Sequence, residues 1–294
     1  MDNALRELQL CELDILKAIK NVCSENGIRF FLAPGTLLGA VRHQGFIPWD
    51  DDIDIEMPYD DYLRFQEIAQ KELGAGYFVQ DTEADPYYHF PYLRVQKRNT
   101  TLAREWEKML PGNHRVWVDI FPLVPLGSQK DFRLKRLIIR IATFLRMDSA
   151  YFNASEKWYR ERTNPLQFYL VKAARLLPES IRWKVERSLL RRFVFGNADA
   201  DTPDVTFVWT TVTRRLPRRI YEKPDAQLQF EDDMYPVPKG YDEYLRIMYK
   251  DYMKYPPEGK RLPAFDLYVN FEHDWFEISE QNALGLLHIK GQER

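Results

Sequence analysis

Residues 49–57 read Trp49-Asp50-Asp51-Asp52-Ile53-Asp54-Ile55-Glu56-Met57. With the two-residue period of a β-strand, Asp52, Asp54 and Glu56 fall on one face and the apolar side chains fall on the other. Same-face residues lie only ~6.6 Å apart along a strand. Carboxylates this close repel one another unless protonation or a divalent cation offsets their charge. The stretch therefore predicts either a metal-binding strand or, as any acidic run allows, a solvated loop.

A second acidic strand follows at residues 115–122, Arg115-Val116-Trp117-Val118-Asp119-Ile120-Phe121-Pro122. Its apolar residues alternate, and Asp119 lies on the face opposite to Val118 and Ile120. Two half-buried strands that both present carboxylates favour the metal-binding interpretation over the solvated loop. Mg²⁺ prefers oxygen ligands and commonly assists phosphate chemistry, so we expect a magnesium site, with Mn²⁺ as an alternative ion.

The composition of the 294-residue chain is that of a globular protein, with 45% hydrophobic and 29% charged residues. No apolar run approaches the ~20 residues that a membrane-spanning helix needs. The first 21 residues contain acids throughout, which argues against a secretory signal. The spacing of Cys11 and Cys23 fits no zinc or redox motif, so we interpret both as packing residues. These features predict a cytoplasmic protein.

The charge is distributed unevenly, although the net charge is only −2. Residues 130–193 hold 16 Lys and Arg against 6 Asp and Glu, so the remaining sequence is acidic. Basic and apolar residues alternate there at helical spacing, which predicts a basic helical insertion. Residues 130–195 would either contact anionic lipid at the inner face of the membrane or form a helical subdomain with a solvated basic face. Nucleic-acid binding is disfavoured because no recognised module is present.

The order of elements predicts a mixed α/β (α+β) fold. An amphipathic helix over Leu5 to Val22 should end at Asn26-Gly27, and an apolar strand should follow at Ile28 to Ala33. Thr36 should cap a short helix. Pro122, together with Pro125-Leu126-Gly127, should close the Asp119 strand, a turn-rich loop should span 235–240, and a helix should span 241–253. We divide the chain into a catalytic core at 1–128, the insertion at 129–200, and a C-terminal part at 201–294 that completes the core and its cleft.

This order of elements resembles the nucleotidyltransferase superfamily: a Gly-Thr turn opens a helix, a paired-acid strand follows, and a single-acid strand comes later. The stretch Pro34 to Ile55 is more specific and resembles the signature of the LicD family of phosphotransferases, which has fukutin-related proteins as distant relatives. The similarity continues in Val118-Asp119-Ile120-Phe121-Pro122 and in residues 235–245 and 251–257. Lys250 departs from it, because glycine is expected before Asp251.

The resemblance implies a nucleotidyltransferase-like core, a mixed sheet flanked by helices. It also implies Mg²⁺-dependent transfer of phosphocholine from CDP-choline to a hydroxyl of a cell-surface, lipid-linked glycan precursor of the teichoic acid or lipopolysaccharide type, with release of CMP. Asp52, Asp54 and Asp119 would be the catalytic metal ligands, and Asp119 could instead be the base. Donor phosphates would be bound by a further set: Gly35, Thr36, Arg42, His43, Asp50 and Lys239. For Arg42 a salt bridge with the acids, and for His43 packing on Trp49, are equally good interpretations.

Three alternatives remain open at this level. The donor could be another CDP-alcohol, such as CDP-ribitol, with the same reaction type. Asp52-Ile53-Asp54 could be the DxD motif of a metal-dependent glycosyltransferase that uses a sugar nucleotide. The chain could also be a non-catalytic membrane-docking protein that keeps the fold. The aromatic residues that would hold a choline head group are not identifiable from the sequence.

Overall fold

The computed structural model describes residues 3–196, 202–209, 214–222, 226–275 and 285–292. Its α-helices are α1 Asn3–Asn26, α2 Pro34–His43, α3 Tyr59–Glu72, α4 Gln129–Thr143, α5 Ser149–Ala154, α6 Glu156–Arg162, α7 Pro165–Ala174, α8 Glu179–Leu189 and α9 Tyr241–Tyr249. Its strands are β1 Phe31–Leu32, β2 Asp54–Pro58, β3 Tyr77–Gln80, β4 Leu93–Lys97, β5 Thr101–Arg104, β6 Trp117–Leu126, β7 Asp204–Phe207, β8 Leu216–Pro217, β9 Ala226–Phe230, β10 Asp233–Val237, β11 Leu267–Asn270 and β12 Leu287–Ile289.

The central sheet is built around β6, which is buried along nearly its whole length. Its strand order is β1-β2-β6-β4-β3, and β7 pairs with the far end of β6 and with β8. The β2–β6 pair is parallel, whereas the other pairs of this sheet are antiparallel. A β9–β10 hairpin and a β5-β11-β12 sheet complete the strands. The predicted mixed sheet flanked by helices is confirmed.

The N-terminal helix has the predicted amphipathic character, because its apolar stripe is buried in the main core. Gly27 follows the helix with a φ of +59°, so the predicted glycine stop is confirmed. The apolar run at 28–33 forms a strand over Phe31 and Leu32 alone, because the chain turns into α2 at Pro34. The predicted strand is therefore shorter than its apolar run.

Helix α2 begins earlier than predicted. Ala33 occupies the capping position, Pro34 supplies the first turn, and Thr36 lies inside the helix. The expectation that Thr36 caps the helix is wrong, because its hydroxyl contacts β2 instead. Gly39 lets the following loop return close to the helix: a Cβ there would stand 2.5 Å from the Gly45 carbonyl oxygen. The glycine thus allows the chain to lead back to the acidic stretch.

Two proline-containing segments bound the later strands. β6 continues past Pro122, whose carbonyl oxygen accepts a hydrogen bond from the Val208 amide at 3.0 Å, and it ends at Leu126 within the predicted Pro125-Leu126-Gly127 stop. Residues 233–237 form strand β10 of a hairpin, so the predicted loop at 235–240 is wrong over its first half. Helix α9 ends at Tyr249 rather than at residue 253, since Lys250 turns to a positive φ.

Residues 129–195 are helical, as the sequence predicts. Part of this segment packs on the end of β6 and on Val208, and part forms a separate small cluster around Phe152, Tyr159, Phe168 and Val171. The segment is also tied to the core, because the Arg146 guanidinium donates to the Tyr88 carbonyl oxygen at 2.8 Å. The division of the chain at residues 128 and 200 stays a prediction. Among the described residues, no helix is long and apolar enough to cross a bilayer.

Candidate active site

The two acidic strands are direct neighbours. In the parallel β2–β6 pair, Asp54 is the register partner of Asp119. Asp52 lies two residues before Asp54, just ahead of the strand, and the Asp119 amide donates to the Ile53 carbonyl oxygen at 3.2 Å. The fold therefore brings Asp52, Asp54 and Asp119 to one end of the central sheet.

The N-terminus of α2 is attached to this acidic strand. The Asp54 amide donates to Thr36 Oγ1 at 2.9 Å, and the Ala33 amide donates to the Asp54 carbonyl oxygen at 3.0 Å. Helix geometry leaves the first amide groups of α2, those of Gly35 and Thr36, without an intrahelical acceptor. Such amides are suited to an anion. A Cβ on Gly35 would lie 3.9 Å from Asp50 Oδ2, so the helix start and Asp50 are adjacent.

Burial and mutual repulsion raise the pKa values of the acids in this cluster. Burial, then Asp51, raises the pKa of Asp52 to about 7, and Asp119 adds to the effect while Arg104 and Arg94 oppose it. Burial, then Asp52 and Asp119, raises the pKa of Asp54 well above its ordinary value. Burial and repulsion from Asp52 raise the pKa of Asp50 in the same way. Burial and the neighbouring carboxylates thus disfavour the ionised form of each acid in the cluster.

Two arginines that the sequence analysis did not select lie beside these acids. Arg94 on β4 is buried and donates from Nε and Nη2 to the two oxygens of Asp119, at 2.7 and 3.2 Å. Its guanidinium carbon also lies 4.0 Å from the centre of the Trp117 ring. The positive charge of Arg104 on β5 opposes the rise in the pKa of Asp51 and Asp52. Alternation along β4 places Arg94 on a strand face, but nothing in the sequence shows that this face points toward Asp119.

Arg42 and His43 pack against aromatic side chains at the edge of the site. Arg42 donates to the Tyr252 carbonyl oxygen at 3.1 Å and lies over the Tyr255 ring at 4.6 Å. It makes no ion pair with the acids among the salt bridges of the described residues. His43 packs edge-on against Trp49, as one of the two interpretations expected, and against Tyr255.

Lys239 is exposed in the segment before α9. Its predicted contact with the donor stays a prediction. The predicted phosphate roles of Gly35, Thr36, Arg42, His43 and Asp50 likewise stay predictions.

Two acids outside the predicted set, Asp51 and Glu12, also lie beside the cluster. Asp51 is buried, and its Oδ1 accepts a hydrogen bond from the Ala264 amide at 3.4 Å. Glu12, on the buried side of α1, is 1% exposed and is repelled by Asp52, Asp51 and Asp50. The signal for Glu12 was its position: it lies four residues after Leu8 and three before Ile15, in the apolar stripe of the helix.

The donor set fits a hard divalent cation by chemistry and by charge. Its ligands would all be carboxylate oxygens, which Mg²⁺ and Mn²⁺ prefer. The raised pKa values of Asp50, Asp52 and Asp54 reflect a negative charge that a cation would offset. Within the ranges that the structure describes, no group of three or more His, Cys, Asp or Glu side chains already stands in an arrangement that could hold a metal ion.

A mixed sheet with an acidic parallel strand pair and a helix N-terminus beside it is the arrangement that the resemblance to nucleotidyltransferases leads one to expect. Comparison with known families identifies the branch: residues 27–137 match the model described as LicD/FKTN/FKRP, nucleotidyltransferase domain. Over these residues the chain is similar to that family. The predicted resemblance to LicD proteins, with fukutin-related protein as a relative, is confirmed.

Two named relatives are transferases. The chain is 26% identical over 263 residues to the lipopolysaccharide cholinephosphotransferase LicD of Haemophilus influenzae, covering 88% of this chain and 95% of that protein. It is 35% identical over 122 residues to the ribitol 5-phosphate transferase FKRP of Mus musculus, covering 42% of this chain and 21% of that protein. The chain is therefore a homologue of LicD-family transferases.

Proposed function

We propose that this chain transfers phosphocholine from CDP-choline to a hydroxyl group of a glycan precursor and releases CMP. The acceptor oxygen forms a bond to the phosphorus of phosphocholine. The bond from that phosphorus to the oxygen of CMP breaks, and CMP leaves with the electron pair. The hydroxyl proton passes to a base. The observation that carries the proposal is the register pairing of Asp54 with Asp119 beside the N-terminus of α2.

The residues of the site have separate tasks in this reaction. The free amides of Gly35 and Thr36 bind a donor phosphate at the helix start. Asp52, Asp54 and Asp119 would hold Mg²⁺, which offsets charge on the diphosphate and on the leaving CMP. Both oxygens of Asp119 accept hydrogen bonds from Arg94, which supports a ligand role for Asp119 over that of the base. Asp50 and Arg42 flank the phosphate position.

A separate observation favours CDP-ribitol as an alternative donor. The match to ribitol 5-phosphate transferase FKRP is the shorter one, but its identity of 35% exceeds the 26% of the match to LicD. The family segment at 27–137 includes Asp52, Asp54 and Asp119 and is shared by both kinds of relative. The reaction would then release CMP and leave ribitol phosphate on the acceptor, by the same bond changes.

The test measures nucleotide release from CDP-choline, CDP-ribitol and UDP-glucose, with and without Mg²⁺, together with binding of each donor. We expect CMP release and metal-dependent binding with CDP-choline. We expect Asp54→Asn to lower the turnover by at least ~100-fold, consistent with about 3 kcal/mol of transition-state stabilisation. The matched control is Asp60→Asn, which changes an exposed acid on α3 and should keep wild-type turnover.

Each other result changes the proposal in a defined way. Turnover with CDP-ribitol alone would replace the donor and keep the reaction. Release of UDP from UDP-glucose, with no phosphate left in the product, would identify a glycosyltransferase. Loss of function on charge reversal at Arg136 and Arg140, with Asp54→Asn active, would identify a docking protein.

We also propose that the helical segment rests on anionic lipid, where a lipid-linked acceptor is found. Three helices of the segment expose large apolar side chains: Leu134 and Leu137 on α4, Leu166, Tyr169 and Leu170 on α7, and Ile181 and Val185 on α8. A groove of about 780 Å³ between α4 and α7 is lined by Leu137, Ile141, Leu166, Leu170 and two arginines, Arg136 and Arg140. Exposed apolar and basic side chains together suit an anionic bilayer surface.

A further inference from the structure

Glu12 lies next to the acidic loop although it comes from another part of the chain. One turn earlier on α1, the Gln9 side chain donates from Nε2 to the carbonyl oxygen of Asp50 at 2.9 Å. Gln9 and Glu12 are three residues apart, so they share one face of the helix. Both are buried, at 0% and 1% exposure. This face of α1 therefore covers the loop that carries Asp50, Asp51 and Asp52.

The Glu12 carboxylate has no protein partner in the part of the chain that the structure describes. Both of its oxygens are buried, and neither has a hydrogen bond. Burial, followed by repulsion from Asp52, Asp51 and Asp50, raises the pKa of Glu12 well above its ordinary value. A buried carboxylate without a hydrogen bond is expensive, and a like-charged neighbourhood increases that cost. An apolar residue would fill this position of the stripe at less cost.

We infer that Glu12 supplies a further carboxylate to the divalent-cation site, beside the loop that carries Asp50 and Asp52. The inference rests on the proposed function for the presence of a cation. It adds a residue of α1, outside the family segment at 27–137. The observation behind it is independent of Asp54 and Asp119: a fully buried carboxylate that accepts no hydrogen bond lies on the helix face that covers the loop of Asp50, Asp51 and Asp52. A bound cation satisfies oxygens that the protein itself leaves unpaired.

The test is calorimetric titration of the full chain with Mn²⁺, with no donor present, accompanied by the melting temperature with and without Mn²⁺. The variants are Glu12→Gln, which keeps the shape and removes the charge, and Glu12→Asp, which keeps the charge on a shorter side chain. The control is Glu7→Gln, an exposed acid on the same helix. We expect Glu12→Gln to weaken Mn²⁺ binding at least tenfold and to reduce the Mn²⁺-induced rise in melting temperature. Glu7→Gln should match the wild type.

The outcomes separate this inference from the proposed function. If the wild type binds Mn²⁺ and Glu12→Gln binds it equally well, the inference about Glu12 is wrong and the proposed function stands. If the wild type binds no Mn²⁺, the cation site itself is wrong, and both fall. If the role of Glu12 were merely structural, Glu12→Gln would change the melting temperature equally with and without Mn²⁺ and would leave the Mn²⁺ dissociation constant unchanged. Should Glu12→Gln fail to fold, wild-type Mn²⁺ affinity in Glu12→Asp would also overturn the inference, since its shorter side chain displaces the carboxylate.

Discussion

Lys250 adopts a backbone conformation that favours glycine. It follows α9 with φ 62° and ψ −108°, and its amide donates to the Arg246 carbonyl oxygen at 2.9 Å. The sequence pattern of the family leads one to expect glycine at this position, and the positive φ gives the physical reason. A non-glycine residue in such a region costs about 1–3 kcal/mol. The chain carries that cost at the end of its C-terminal helix.

We predict that Lys250→Gly raises the free energy of unfolding by about 1 kcal/mol, because relief of strain exceeds the added chain entropy of glycine. The side chain is exposed, so little packing is lost. Denaturant unfolding of the variant measures the change. Lys254→Gly is the control, since residue 254 is exposed and its φ is not positive. A loss of stability in both variants would contradict the prediction.

Single residues of the site were predictable to different degrees. Asp52, Asp54 and Asp119 were accessible to sequence reasoning because period-two alternation and the family signature both select them. Arg94 was not, because its role depends on β4 pairing with β6 in a register that aligns Arg94 with Asp119. Glu12 could be noticed as a charge in an apolar stripe, but its neighbours come from a loop about forty residues away.

Arg94 joins two neighbouring strands through a buried ion pair. The Arg94 and Asp119 side chains are 7% and 10% exposed. Loss of one partner leaves the other charge buried and alone, which costs about 3–5 kcal/mol. The pair therefore ties β4 to β6 beside the acidic cluster.

We predict that Arg94→Leu destabilises the protein by about 3–5 kcal/mol, as measured by denaturant unfolding. The double variant Arg94→Leu/Asp119→Leu should recover most of this loss, because it leaves neither charge unpaired. Equal destabilisation of the single and double variants would show that packing around Trp117, and not charge, is responsible.

Elements were predicted well where local signals decide them, as in α1, whose periodicity and glycine stop lie in neighbouring residues of the sequence. The boundaries failed where tertiary contacts decide. Residues 235–237 form part of β10 because β9 pairs with them, although Pro236 is typical of a turn. The deciding partner is another strand, so the residues of β10 alone do not indicate it.

At the scale of the whole molecule, His89 lies where the core meets the helical segment. It packs on Phe90 and edge-on against Tyr151 of α5. Burial lowers the pKa of His89 to about 4, with Arg94 and Arg146 reinforcing the effect and Glu107 opposing it. The folded state thus holds the imidazole neutral. The unfolded chain takes up the proton first as the pH falls.

We predict that protonation linked to His89 lowers the free energy of unfolding by on the order of 2 kcal/mol as the pH falls from 6.5 to about 4. Above pH 6.5 the histidine is neutral in both states, so the contribution vanishes. Unfolding free energies of wild type and His89→Phe should diverge in favour of the variant as the pH falls through this window. Curves that run parallel would contradict the prediction.

We predict that the protein binds vesicles that contain anionic lipid and does not bind vesicles of neutral lipid. Charge reversal at Arg136 and Arg140, both exposed on α4, should reduce co-sedimentation at least tenfold, since each basic residue contributes about 1 kcal/mol. The control is charge reversal at Lys71 and Lys254, which are exposed outside the helical segment. Equal losses in both double variants would indicate a general charge effect rather than a docking face.

The acidic loop is covered by residues from both ends of the sequence. Gln9 contacts Asp50 from α1, and Ala264 donates to Asp51 from the C-terminal part. During synthesis from the N-terminus, α1 and the loop are made well before Ala264. The Gln9 contact can therefore form first, and the Ala264 contact can form only after the C-terminal part has been made. The last contact around the carboxylates thus waits for a segment that is translated long after them.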